Sequence, residues 1–296
     1  MKKSSLIYKI RRKLQVFLYS ITSKEFVSKL YFRMVLHYPL HLDNPKTFNE
    51  KLQWLKLYYC PFNNNVIICS DKYMVREYVN DFQMGFLLND LIGVYDDAYS
   101  IDFDNIPMQF VLKCNHGCGY NIICKNKNEF NIKKSIKLLN KWMKEDFSKF
   151  NAEPHYSKIK RKIVCEKYLG DLTNYNIYVF NGKVVFFSVA GGLGDGNGEF
   201  LNYYLSDLSP ASFTNKHFKN KNIELSKNVL KMFEFAKKLS GDFPMVRVDF
   251  YDVDNKIILS EMTFTPGGAL IPFSSKEDDL ALGELLDISR IMETKK

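Results

Sequence analysis

Met245–Gly268 reads MVRVDFYDVDNKIILSEMTFTPGG. Alternating apolar and polar residues flank Asp252–Asn255, the pattern of a hairpin that buries one face. Alternation puts Arg247, Asp249 and Tyr251 on one face of the first strand and Val246, Val248 and Phe250 on the other. In the second strand Glu261 and Thr263 share a face, opposite Ser260, Met262 and Phe264. The turn decides whether the two acids meet. A three-residue loop at Asp254–Lys256 pairs 253 with 257 and hence Asp249 with Glu261, the register needed if the two acids are to share a side. A two-residue Asp254–Asn255 turn pairs Asp249 with Ser260 instead. Facing carboxylates repel unless a cation lies between them, and hard oxygen ligands of this type suit Mg²⁺. Arg247, two residues before Asp249, would then hold a phosphate oxygen. A solvated polar sheet face explains the spacing equally well. It explains less well the Thr265-Pro266-Gly267-Gly268 loop that follows at once and is built for close backbone approach.

Working outward, Phe110–Asn121 reads FVLKCNHGCGYN, with a strand that ends near Lys113 and a glycine-bearing loop after it. Lys113 is placed to meet nucleotide phosphates while the loop amides cover them. The Gly-Lys-Ser/Thr of a P-loop is missing, and a plain hairpin with an exposed lysine fits this segment as well. Cys114, His116, Cys118 and Cys124 lack the C-x₂-C pairs of structural zinc sites. Residues 162–169 (KIVCEKYL) read as a buried strand. Tyr175–Phe180 and Lys183–Val189 form a hairpin around Asn181-Gly182, because a type I′ turn needs positive φ at both central residues. Helices are expected at Phe48–Tyr59, Asp71–Val79 and Ile132–Phe147, and residues 190–200 form a glycine-rich loop. The order is helical first, then a small strand-loop-strand-helix unit, then a larger hairpin-rich part. It predicts an α+β protein with two sheets facing a cleft.

Composition bounds the partners. The 296 residues carry a formal net charge of +9 and are 46% hydrophobic, as in an ordinary globular protein. No run of about 18 apolar residues is present to cross a membrane. The amino-terminal stretch lacks the apolar middle and cleavage site of a signal peptide, so the cytoplasm is the expected location and the six cysteines are expected reduced. The basic balance favours anionic partners, but no nucleic-acid motif occurs. Much of the excess lies in residues 1–33, where Lys2, Lys3, Lys9, Arg11, Arg12, Lys13, Lys24, Lys29 and Arg33 face the single acid Glu25. Leu6, Ile10, Leu14, Phe17, Leu18 and Ile21 recur there at helical spacing. Two readings stand: a helix docking on an anionic membrane surface, or one packed on the body with a solvated basic face.

Taken together these segments resemble the ATP-grasp superfamily, and within it the TupA-like branch. The residues that carry the resemblance run from about Asn44 to Asp287. They are Pro45-x-Thr-Phe-Asn-Glu-Lys-Leu-Gln-Trp-Leu-Lys, Asp71-Lys72-Tyr73 with Arg76, Phe110-Val111-Leu112-Lys113-x-Asn115-His116-Gly117-x-Gly119, Val164-x-Glu166-Lys167-Tyr168-Leu169, Phe180-Asn181-Gly182-Lys183, Val246-Arg247-Val248-Asp249 and Glu261-x-Thr263-Phe264-Thr265-Pro266-Gly267-Gly268. The resemblance implies an ATP-grasp fold holding ATP between two lobes. A helical region would cover 1–65 and the ATP-grasp domain 66–290, with a small lobe over about 101–168 and a large lobe over about 169–290. It implies that Lys72 and Lys113 contact phosphates under a loop containing Asn115, His116, Gly117 and Gly119. Glu166, Lys167, Tyr168 and Leu169 would meet the adenosine. Asp249, Glu261 and Thr263 would hold Mg²⁺, and Arg247 with Lys113 would serve catalysis. The implied chemistry is ATP-driven ligation of a carboxylate to an amine through an acylphosphate. The expected substrates are a uronic-acid-bearing glycan or sugar-nucleotide precursor and an amine or amino acid, in capsule, O-antigen or cell-wall polysaccharide synthesis. A nucleotide-sugar glycosyltransferase and a non-catalytic nucleotide-binding scaffold are the alternatives. The chain departs from the family at Asn174-Tyr175-Asn176, where relatives have Asp-Tyr-Lys. It departs again at Ala190–Asp195, where relatives carry an Arg.

Overall fold

The computed structural model describes residues 6–170, 172–192 and 199–294. Lys2 and Lys3 lie outside them, as do Leu193, Gly194 and Asp195 of the glycine-rich loop. Helices α1 (Leu6–Ile21) and α2 (Lys24–Leu36) open the described chain, separated at Ser23, whose hydroxyl accepts from the Phe26 amide at 3.1 Å. Next come α3 (Phe48–Tyr58), α4 (Asn64–Ser70) and α5 (Val75–Asp81). The last starts later than expected. The Asp71 carboxylate accepts from the amides of Tyr73 and Met74 and closes a turn there instead of capping the helix.

Strands β1 (Leu91–Tyr95), β2 (Phe110–Cys114), β3 (Asn121–Cys124) and β4 (Ile163–Lys167) form an antiparallel four-stranded sheet in the order β1-β4-β2-β3. Helix α6 (Ile132–Lys144) covers it, with Leu139 fully buried in the sheet's core. This sheet begins at Leu91. β1 is short, holds Gly93 and shows no alternation of polarity, so only its Ile92, Val94 and Tyr95 mark it as a strand.

The second sheet contains β5 (Asn174–Phe180), β6 (Lys183–Gly191), β7 (Phe200–Leu205), β8 (Met245–Val253) and β9 (Lys256–Thr263) in the antiparallel order β7-β6-β5-β8-β9. Helices α7 (Val229–Leu239), α8 (Lys276–Glu284) and α9 (Ser289–Glu293) complete the chain. Asn181 and Gly182 have φ of 47° and 76°, as the type I′ turn requires.

Helix α3, inside the amino-terminal region expected over 1–65, packs into the core of the second sheet. Thr47 and Glu50 form a reciprocal capping box at its start. Phe48 then lies among Tyr178, Phe180, Phe186 and Phe273, with ring centroids 4.9 to 6.4 Å away. Burying one such side chain contributes about 2–3 kcal/mol. The α3–α8 contact is closed by Gly283, where a Cβ would fall 2.1 Å from the Lys46 carbonyl oxygen.

The decisive hairpin has the expected pairing by an unexpected route. Its turn is the two-residue one: Asp254 and Asn255 have φ of 51° and 64°, and Val253 pairs with Lys256. That register would have set Ser260 opposite Asp249. A β-bulge intervenes. Phe250 pairs with Leu259 and Asp249 with Glu261, so Ser260 is the extra residue of β9. The bulge shifts the register by one and returns both carboxylates to the same face.

Candidate active site

On β8 and β9 the ladder sets Asp249 against Glu261 and Arg247 against Thr263. Arg247 is forked onto Asp249, Nε donating to Oδ1 at 2.7 Å and Nη2 to Oδ2 at 2.6 Å. Nη2 also donates to Glu261 Oε1 at 3.2 Å and to the Thr263 hydroxyl at 3.3 Å, and Thr263 donates to Glu261 at 3.0 Å. Asn176 of β5 stands opposite Asp249 on its other side and donates to the Ser188 hydroxyl of β6 at 3.1 Å. Asn176, where the family resemblance leads to the expectation of a lysine, is therefore a neutral amide bonded within the sheet.

The first sheet brings its own charges. Lys113 of β2 donates to Glu166 of β4 at 2.6 Å, and Arg76 of α5 lies 3.6 Å from the other oxygen of Glu166. Lys72 joins the two groups. Its ammonium donates to the Gly117 carbonyl at 2.8 Å and lies 3.9 Å from Glu261 Oε2. Cations and carboxylates from both sheets thus form one cluster, in which Lys72, Arg76, Lys113 and Arg247 face Glu166, Asp249 and Glu261.

The electrostatics follow from this placement. Burial pushes the Asp249 carboxyl up to about 7; Arg247 opposes the rise and Glu261 adds to it. Burial also works against the charge on Glu261, but Lys72 and Arg247 hold it below the ordinary glutamate value. Lys113 behaves in the mirror sense: burial opposes its charge, while Glu166, then Tyr251 and Glu261, raise it above the ordinary lysine value. Lys72, bonded to the loop after β2 and 3.9 Å from Glu261 of β9, ties the charges of the two sheets together.

The donor set suits a hard cation. No group of three or more His, Cys, Asp or Glu side chains that could hold a metal occurs among the described residues. Two carboxylates and a hydroxyl are nonetheless sufficient for Mg²⁺, which commonly takes one or two carboxylates and completes its shell with substrate phosphates and water. The Asp249–Glu261 pair with Thr263 fits that description.

The other predicted residues divide. Asn115 and His116 are buried supports of the loop. Asn115 donates to Asp71 and to the Lys160 carbonyl, both at 2.9 Å, and accepts from the Lys162 amide at 2.7 Å. The His116 ring meets the Trp142 carbonyl under α6 at 3.2 Å, and its pKa is lowered to about 4, by burial first and Arg161 second. Gly117 lies against the Phe147 ring, where a Cβ would fall 2.6 Å from it, and Gly119 takes a φ of 72°. Among the adenosine candidates, Glu166 points into the ionic cluster while alternation turns Lys167 to the opposite face, where it pairs with Asp90 at 3.4 Å. Lys167 and Tyr168 line a cleft of about 740 Å³ with Met108 and Lys125. The Lys167 amide donates to the Asp90 carbonyl and its carbonyl accepts from Asn89, so both its peptide groups are engaged.

Two neighbours carry no role in the sequence reading. Arg76 lies one helical turn beyond Lys72, and that spacing was the available signal. Tyr156 sits close enough to Glu153 and Glu261 for both charges to push its hydroxyl pKa further up than burial alone. It reaches the cluster from a 3₁₀ turn at Pro154–Lys158 that has no distinctive pattern.

Solved structures with a related backbone include the L-amino acid ligase from Bacillus licheniformis, at 13% identity and a TM-score of 0.48, covering 85% of this chain and 57% of that one. The D-alanine–D-alanine ligase from Helicobacter pylori gives 17% identity, a TM-score of 0.47, and coverage of 82% and 70%. That from Bacillus anthracis, complexed with ATP, gives 15%, 0.45, 77% and 69%. No protein of curated function matches the sequence. Residues 50–287 match the family described as TupA-like ATPgrasp. The matched span contains both sheets and every charged residue of the cluster between them, and the chain belongs to the TupA-like ATP-grasp family.

Proposed function

We propose that the protein is an ATP- and Mg²⁺-dependent ligase that joins a carboxylate to an amine through an acylphosphate. The observation that carries the reading is the Asp249–Glu261 pair beside Arg247, facing Lys72 from the turn before α5 and Lys113 from the other sheet. Asp249 and Glu261, with Thr263, would hold Mg²⁺, which supplies charge neutralisation at the phosphate oxygens when bound. Lys72 and Lys113 bind the β- and γ-phosphates. Glu166, once Lys113 turns to phosphate, accepts hydrogen bonds from ribose. Adenine is read by groups beyond Lys167, because those of Lys167 are engaged by Asn89 and Asp90. Arg247 shifts from Asp249 towards the transferring phosphoryl group and stabilises its charge. A carboxylate oxygen of the acceptor attacks the γ-phosphorus and ADP departs. The amine nitrogen then attacks the acyl carbon, and inorganic phosphate leaves. Positioning and charge neutralisation suffice for both steps.

The acceptor we propose is a uronic-acid-type sugar of a capsule, O-antigen or cell-wall polysaccharide, and the donor an amino acid or other amine, in the cytoplasm. Family membership supports this assignment. The test replaces the amine with hydroxylamine and supplies glucuronate- and galacturonate-bearing acceptors with ATP and Mg²⁺. ADP release together with a sugar hydroxamate is the expected result. ATP binding with no ADP release for any acceptor and amine would instead support a non-catalytic scaffold. Tight binding of a uridine diphosphate sugar, with no use of ATP, would support a glycosyltransferase.

A further inference from the structure

Helix α1 carries apolar residues on two sides, and only one of them is held against the body. On the inward side Val16 packs on the core of the first sheet and Leu18 and Tyr19 pack on Val27, Tyr31 and Ala152, while Arg12 and Gln15 add polar contacts. Arg12 donates to the Tyr120 hydroxyl at 3.2 Å, lies 3.5 Å from Glu145, and stacks 3.5 Å from the centroid of the Phe150 ring. Gln15 donates to Asn151 at 3.4 Å. The other apolar stripe faces solvent: Ile10, Leu14, Phe17 and Ile21 are 56%, 54%, 57% and 61% exposed. Their spacing keeps them on one side of the helix. Exposed apolar surface in such a continuous run marks a surface that something else covers.

Charge identifies the cover. Arg11, Lys13 and Lys24 are exposed around the stripe, and Lys29 and Arg33 are exposed on the adjoining α2. Glu25 is the only acid between residues 10 and 37. A second copy applied to this face would set like charges against each other, and a nucleic acid would leave the stripe in water. A bilayer with anionic headgroups satisfies both features, taking the apolar side chains into the headgroup–acyl boundary and the cations at its surface. We propose that α1, with the basic face of α2, is an in-plane anchor that docks the enzyme on anionic membranes.

The test is co-sedimentation of the full chain with vesicles of phosphatidylglycerol and phosphatidylcholine, and with vesicles of phosphatidylcholine alone. Binding to the anionic vesicles at least about tenfold tighter, and weakened by salt, is expected. Leu14→Gln with Phe17→Gln should weaken it about tenfold or more, and Arg11→Glu with Lys13→Glu should remove the preference for anionic lipid. These side chains are exposed, so melting temperature and nucleotide affinity should not move. A Phe17→Trp variant gives an independent readout, a blue shift in emission on anionic vesicles. Failure of the parent chain to sediment with anionic vesicles overturns the proposal. So does binding that both double variants leave unchanged, or a concentration-dependent dimer that Leu14→Gln with Phe17→Gln abolishes while no vesicles are bound.

Discussion

Two buried polar regions of this molecule are wired differently. Along α3, Asn49, Gln53 and Lys56 are each bonded to main chain of distant segments. Asn49 donates to the Ile271 carbonyl at 2.9 Å and accepts from its amide at 2.7 Å, Gln53 donates to Ala269 at 2.8 Å, and Lys56 donates to Asn151 at 2.9 Å. Between the sheets, charged side chains bond mainly to each other: Lys113 to Glu166, Arg247 to Asp249 and Glu261. A group bonded to a fixed carbonyl has one satisfied state. Ion pairs between side chains can exchange partners when a polyanion and a cation arrive, because each member finds an equivalent charge in the ligand. The first wiring fixes the fold around the site, and the second leaves the site able to react.

The comparison breaks most visibly at Asp249. Asp249→Asn should lower ADP release roughly a hundred- to a thousandfold while the melting temperature stays within a few degrees. Loss of folding without a specific loss of turnover would place Asp249 with the structural group. Asn49→Ala is the converse case. It strands the Ile271 peptide groups and Asp279 away from water, so urea unfolding should show a loss of about 3 kcal/mol. ATP affinity of the folded fraction should be unchanged.

His155 sharpens the structural side through pH. It is fully buried with both ring nitrogens unpartnered, and its pKa is lowered from 6.5 to about 3, chiefly by burial and then by Lys56. The folded state therefore binds fewer protons than the unfolded chain. This contribution to stability is complete above pH 6.5 and declines as pH falls towards 3, by about 1 kcal/mol per pH unit. His155→Phe should flatten that part of the stability profile, and an identical slope in the variant would refute the account. The smallest effect is expected from deleting Ser260. The deletion removes the bulge, and the two-residue turn alone then sets Glu261 opposite Asp249. ADP release should stay within about tenfold of the parent. A loss as large as that of Asp249→Asn would mean that the bulge geometry itself serves the site.

Where the local rule was sufficient, the sequence was legible. Asn181-Gly182 announced its hairpin because few residues tolerate two positive φ angles in succession. The facing of Asp249 and Glu261 followed from alternation, but by the wrong turn, since one extra residue in a strand leaves no compositional mark. The polar face of α3 was opaque for a different reason. Asn49 finds Asp279, and Lys51 finds the carbonyls of Gly283 and Leu286, more than two hundred residues away. No pattern within α3 identifies such partners.

Gly283 carries this division into the practice of mutational scanning. Any side chain there would meet the backbone of Lys46–Phe48, so in a library scored only for activity the position would be as depleted as Asp249. Scored again in a background carrying stabilising substitutions elsewhere, Asn49 and Lys56 should regain tolerance, whereas Asp249 and Glu261 should not. Rescue in that second library, rather than depletion in the first, would separate the scaffold from the chemistry.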